Sequence, residues 1–291
     1  MSKKKMRRID LIAYSFIGIW IVGFTIFMAF PLIASLVFSA SDVVIRGTGI
    51  EIKLRGLKNF IAIFEIEAGF KFLEAIGDFL LELLFRLPII IVFSVIIAVL
   101  LNRDFRGRAF FRSVFFLPVI ISSGPVINEL ISQGAGGTNI LGSYGFIAII
   151  EEALSPALAR PLVKLFSEII IVFWFSGVQI LIILAGLQKI DRSVYEAASV
   201  DGAGPWEKFW KITLPALSNL IFVNIIYTVV LLATFSENGV IILIRRNMNE
   251  IGYGVASAMA WIYFIVVMLV LGILALLFMP RERKIKKRYG R

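Results

Sequence analysis

The chain has 291 residues, of which 59% are apolar and only 17% charged, with a net charge of +10. Cys and His are both absent, which excludes disulfides, thiolate nucleophiles, imidazole bases and nearly all zinc chemistry. The apolar excess points to a bilayer, and the basic residues at the ends of long apolar runs suit anionic lipid, not nucleic acid.

A bilayer core about 30 Å thick needs roughly 20 apolar residues of helix. In chain order the uncharged runs are 11–41, 87–101, 113–128, 169–188, 212–236 and 251–280. The first is too long for a signal-peptide core and reads as a retained span. The second gains length from upstream residues in which Glu82 and Arg86, four apart, share a helical face and can pair near the interface. The third extends through Glu129 to Ile131. The expected fold is an all-α polytopic membrane protein with six transmembrane helices over 11–280. A basic N-terminus (1–10) and a basic tail (281–291) flank it.

Orientation follows from basic residues in the connections. Segments 1–10, 102–112, 189–211 and 281–291 hold five, four, four and seven Lys or Arg, twenty of the thirty in the chain. The alternate segments 41–78, 132–164 and 237–250 hold five, two and two. Both termini are therefore expected in the cytoplasm, with the protein in the cytoplasmic membrane. In the outer connections, residues 57–64 form an amphipathic stretch expected at the surface. The glycine cluster at 134–137 precedes an apolar stretch, 140–150, too short to span and expected to be interfacial or re-entrant. Glu129, Glu168 and Glu237 fall near span ends and read as interfacial carboxylates.

The connection at 189–214 carries the densest local signals. Asp191 or Ser193 can cap a short helix, Ser193 and Glu196 have capping-box spacing, and Ala197-Ala198 favours helix. Gly202 to Gly204 stops that helix, Pro205 suits the first turn of the next, and Pro215 marks the start or kink of the fifth span. By themselves these features fit a helical hairpin that merely links two spans.

The same stretch resembles the EAA loop of ABC importer permeases. Glu196-Ala197-Ala198, Gly202, Ile212 and Leu214-Pro215 match that pattern without a gap. Asp201-Gly202-Ala203, Phe209 and Thr213 resemble the sugar-importing branch related to maltose permeases. Further likeness lies in Gly107-Arg108, Phe110-Phe111-Arg112 and Phe116-Leu117-Pro118, and in residues 252–261. Asp191 stands where these proteins often have proline.

The resemblance implies a type I ABC importer permease fold and a subunit that forms the translocation pathway for sugars or related solutes. It implies nucleotide-binding ATPase subunits that bind the ATP, a second and related permease, and an extracytoplasmic solute-binding protein. By the same resemblance Glu196 pairs with a basic residue of the ATPase, and Gly202 allows a close turn there.

The chain has no phosphate-binding loop of its own and no paired carboxylates inside a span, so no catalytic residue, resident cofactor or metal is expected. An ion-coupled secondary transporter is the alternative, but it would normally show inverted repeats and mid-membrane ionisable sites. Asn224, Tyr227 and Thr228 form one polar stripe; Tyr253, Ser257 and Trp261 form another. Such stripes suit sugar hydroxyls and faces, so Asn224, Tyr227, Thr228, Ser257 and Trp261 are the expected path residues, although the same pattern also glues helices together.

Overall fold

The computed structural model describes residues 14, 17–46, 49–121, 152–236 and 238–279. Outside these residues lie the basic termini, the second half of the third expected span, Glu129, Glu237, the glycine cluster and the 140–150 stretch. Nine helices and one hairpin occupy the described chain: α1 (Ile17–Ser39), β1 (Ser41–Arg46), β2 (Gly49–Leu54), α2 (Lys58–Ala62) and α3 (Glu67–Asn102). There follow α4 (Arg108–Ile121), α5 (Pro156–Leu187), α6 (Arg192–Val200), α7 (Pro205–Ala233), α8 (Gly239–Glu250) and α9 (Tyr253–Phe278).

Among the described residues four helices are long and apolar enough to cross a membrane: α1, α3, α7 and α9. A fifth candidate pairs Val172–Leu187 of α5 with α6 across a 66° bend. Because α6 carries Arg192, Glu196 and mostly exposed side chains, the apolar part of that pair is the stretch in α5. Of the third expected span only residues 113–121 are described, as part of α4, which starts at Arg108.

Two helices contain a π-turn, and each turn ends two residues before a proline: Thr25–Ala29 before Pro31, Phe209–Thr213 before Pro215. Proline offers no N–H to the carbonyl four residues back and its ring crowds that carbonyl, so the preceding turn widens instead of breaking. In α7 this yields one continuous helix that starts at Pro205, so the fifth span begins seven residues earlier than its uncharged run at 212.

The chain forms two compact units: residues 1–78 with Asn238–Val266, and Phe79–Glu237 with the C-terminal remainder. In the first unit, alternation of β-branched and polar residues makes an antiparallel hairpin, Ser41 opposite Leu54 and Val43 opposite Ile52. Strands of six residues leave no mark in hydropathy, which registers only long apolar runs. Asn59 of α2 donates to the carbonyls of Ser39 (3.0 Å) and Ser41 (2.8 Å), fixing the exit of α1 to the hairpin. Gly254 of α9 packs against those groups: a Cβ there would collide with the Ser41 carbonyl and lie 2.8 Å from Asn59 Nδ2. Asn238 caps α8 by accepting from Val240 N–H (2.9 Å), and its amide also donates to Tyr263 (3.1 Å). The apolar side chains of α1 are exposed along its length, as a lipid-facing helix requires.

In the second unit the core lies between α3, α5 and α7. Val95, Ala98 and Leu101 pack with Ile180, Ile183, Leu184 and Leu187 and with Leu217. Phe173 stands edge-on to Phe93 (4.9 Å between ring centres) and stacks on Phe115 (5.8 Å). The expected pairing of Glu82 with Arg86 is present at 2.7 Å.

Candidate functional site

The 191–215 segment folds as its local chemistry dictates. Asp191, not Ser193, caps α6: its carboxylate accepts from Ser193 N–H at 3.0 Å. That hydrogen bond from the Ser193 backbone holds the Asp191 carboxyl below its ordinary range. At the other end Ala203 N–H bonds the Ala198 carbonyl (2.9 Å) and Gly202 N–H bonds Ser199 (3.1 Å), with Gly202 at φ +81°. This is a Schellman stop, and it needs glycine because the left-handed backbone is unfavourable for residues with a Cβ. The chain then enters α7 at Pro205, where Glu207 accepts from Gly204 N–H (3.3 Å) and pairs with Lys211 (3.0 Å).

Two side-chain bridges join the halves of this hairpin. Tyr195 and Thr213 share a hydroxyl–hydroxyl hydrogen bond of 2.9 Å, and Lys208 Nζ donates to Ser199 Oγ at 2.6 Å. Thr213 is buried within the π-turn. Tilting α6 thus pulls on the first turns of a membrane-crossing helix. Neither bridge is legible in the sequence, because partners nine and eighteen residues apart only meet once the hairpin closes.

Glu196, Ala197, Asp201 and Gly202 are exposed; Ala198 and Ala203 are half-buried against the hairpin. Glu196 makes no ion pair among the described residues, so its carboxylate faces outward. Of the remaining motif positions, Ile212 and Leu214 are half-buried and Pro215 is exposed.

The expected path residues divide between the two units. Asn224 and Thr228 are fully buried and join Gln179 of α5 in a polar clasp. Gln179 Nε2 donates to Thr228 Oγ1 (2.9 Å), Thr228 donates to the Asn224 carbonyl (2.7 Å), and Asn224 Nδ2 donates to the Gln179 carbonyl (3.2 Å). Among the described residues the side-chain oxygens of Gln179 and Asn224 have no hydrogen-bond donor. Gln179 was not among the sequence candidates; its signal was a lone amide in an uncharged run of α5. Tyr227 is half-buried outside the clasp. In the other unit Ser257 and Trp261 are half-buried on α9, with Trp261 edge-on to Phe264 at 5.5 Å. Among the described residues no cluster of three acidic side chains is placed to hold a metal.

Comparison with known proteins places this geometry. The family described as binding-protein-dependent transport system inner membrane component matches residues 60–284. The chain is similar to YesP of Bacillus subtilis (strain 168), a probable ABC transporter permease, with 31% identity covering 92% of this chain and 91% of that protein. It is also similar to the lactose transport system permease LacF of Rhizobium radiobacter, with 29% identity over 81% and 78% of the two chains. In fold it matches a chain from the crystal structure of a bacterial ABC transporter involved in import of the acidic polysaccharide alginate. There the TM-score is 0.63 and the identity 21%, covering 95% of this chain and 97% of that one. Matched by the family over most of its length, this multi-pass membrane chain belongs to the binding-protein-dependent transport system inner membrane components, the permease subunits of ABC importers.

Proposed function

We propose that this permease carries carbohydrate solutes, and that the 191–215 hairpin is the surface through which a separate ATPase drives it. The observation that carries the proposal is the hairpin's construction: an outward-facing Glu196 on a capped helix, cross-braced by Tyr195–Thr213 onto the first turns of α7. A helix so braced transmits rigid-body motion to the span it adjoins, which a flexible linker would not. The sugar class is supported by LacF, whose name assigns it to lactose transport, and by the structural match to an alginate importer.

In this reading the ATP is bound by the partner ATPase. A related second permease completes the pathway, and an extracytoplasmic binding protein delivers the solute. The structure of the alginate transporter in complex with a pentasaccharide-bound periplasmic protein supports the last partner. The hairpin and both termini lie in the cytoplasm, which the excess of basic residues in those segments supports. Of the expected path residues, Tyr227 on α7 and, in the other unit, Ser257 and Trp261 on α9 keep some surface for a solute, whereas Asn224 and Thr228 are fully buried in the clasp with Gln179.

The test is reconstitution with a candidate nucleotide-binding ATPase subunit. Glu196→Ala should weaken ATPase co-purification. Tyr195→Phe should leave binding intact while lowering solute uptake per ATP hydrolysed. Unchanged assembly and uptake in both variants would remove the hairpin from the mechanism. Asn224→Ala and Trp261→Ala should lower uptake with basal ATPase intact if they meet the solute.

A further inference from the structure

The turn from α3 into α4 carries Arg103, Arg106, Arg108 and Arg112 against a single acid, Asp104. Asp104 is engaged twice, by Arg108 at 2.9 Å and by Arg192 of α6 at 3.6 Å. Arg112 is half-buried and forms no hydrogen bond or ion pair among the described residues. Its Nε and one Nη are shielded from solvent without an acceptor, and so is Nε of Arg108. A guanidinium held partly out of water without a counter-charge is costly, and the natural remedy is an anion on its remaining edge. Arg108 and Arg112 stand one turn apart, so both can address one such anion.

The surroundings select the kind of anion. Phe111, adjacent to Arg112 and three residues from Arg108, is the middle of a row of exposed rings. It lies 6.0 Å from Phe105 and 5.7 Å from Phe110 between ring centres. Exposed phenylalanines at the end of a membrane-crossing helix belong in the acyl or headgroup layer, whereas a soluble acidic partner would leave them wet. Basic pockets between helix ends on the cytoplasmic side suit anionic lipid headgroups.

We propose that Arg108 and Arg112 bind the phosphate of an anionic phospholipid whose chains lie along the Phe105–Phe111–Phe110 row. Through Asp104 and Arg192 the occupied site adjoins the base of α6, so lipid composition bears on the 191–215 hairpin. The identification of the leaflet rests on the orientation proposed above; the lipid site itself does not.

The test uses the purified full-length chain, delipidated and then loaded with phosphatidylglycerol or with phosphatidylcholine of matched chains, and reads lipid retention by native mass spectrometry. The expected result is about tenfold or greater preference for phosphatidylglycerol, lost in Arg112→Gln and kept in Arg106→Gln, which removes the same charge from an exposed position. Arg112→Lys should retain part of the preference, since it keeps the charge but not the fork. Thermal unfolding without lipid should match for all variants; if Arg112→Gln unfolds early, Arg108→Gln serves in its place.

Equal loss in Arg106→Gln and Arg112→Gln would overturn the site in favour of diffuse attraction. Displacement of phosphatidylglycerol by millimolar inorganic phosphate would make it a free-phosphate site, and no lipid preference in the wild type would leave a protein carboxylate as the counter-charge. Labelling of Ser199→Cys from outside intact cells would overturn the orientation alone.

Discussion

Gly202 separates what the hairpin needs by itself from what a partner imposes on it. Its φ of +81° is left-handed, and a Cβ built on it meets nothing within 4 Å. In the free chain, Gly202→Ala and Gly202→Leu should therefore be equivalent. Each costs about 1–2 kcal/mol of backbone strain and loosens the Schellman bonds, while the larger side chain stands in open space. If an ATPase cleft closes over this turn, the two variants diverge. A leucine forced into a fitted gap costs a further ~1–3 kcal/mol, which is a loss of roughly 5- to 150-fold in affinity relative to alanine. Hydrogen exchange of α6 in the isolated chain measures the first quantity, and titration of the ATPase onto nanodisc-embedded chain measures the second. Equal exchange with unequal affinity is the expected pattern. Equal affinity would mean that Gly202 serves the turn alone and that no partner approaches it.

Thr228→Val should destabilise the chain by about 1–2 kcal/mol in micellar equilibrium unfolding, because it strands the buried Gln179 amide. Adding Gln179→Met should recover part of that loss, and identical unfolding of the single and double variants would dissolve the clasp. Gly254→Ala should disturb the first unit, because its Cβ collides with backbone at Ser41; unchanged thermal stability would show that the α9 contact is looser than described. For Asp191 the sign is fixed: a carboxyl held below its ordinary range stabilises the capped helix above the unfolded carboxyl's pKa, and that stability is lost as pH falls through the lower folded value. Exchange rates of α6 corrected for intrinsic pH dependence should thus stay flat from neutral pH to about pH 5 and rise only in stronger acid, whereas Asp191→Asn should show no such acid step.

Sequence by itself determined the membrane class, the four long apolar helices among the described residues and the local folding of the 191–215 hairpin. Each of these is decided within a few turns of chain. Hydropathy is a property of a window, a Schellman stop needs only a glycine at the right place, and a carboxylate two residues before an N–H caps it wherever the rest of the chain goes. The pairing of Glu82 with Arg86 was legible for the same reason. The hairpin of β1 and β2 was written in short alternating residues, Val43 and Ile52 among them, but a search for long apolar runs passes over six-residue strands.

Only the tertiary structure decided what meets across the chain. Asn224 and Thr228 carried a readable stripe, but Gln179, forty-five residues before Asn224, completes it, and no local pattern announces a partner at that distance. Nor could sequence say that the Tyr195 and Thr213 hydroxyls meet, or that Arg112 finds no partner among the described residues while Asp104 holds both Arg108 and Arg192. Polar groups inside an apolar layer take whichever donor or acceptor the packing brings within about 3 Å. That choice is made by helix packing over the whole unit, not by the order of residues along one helix.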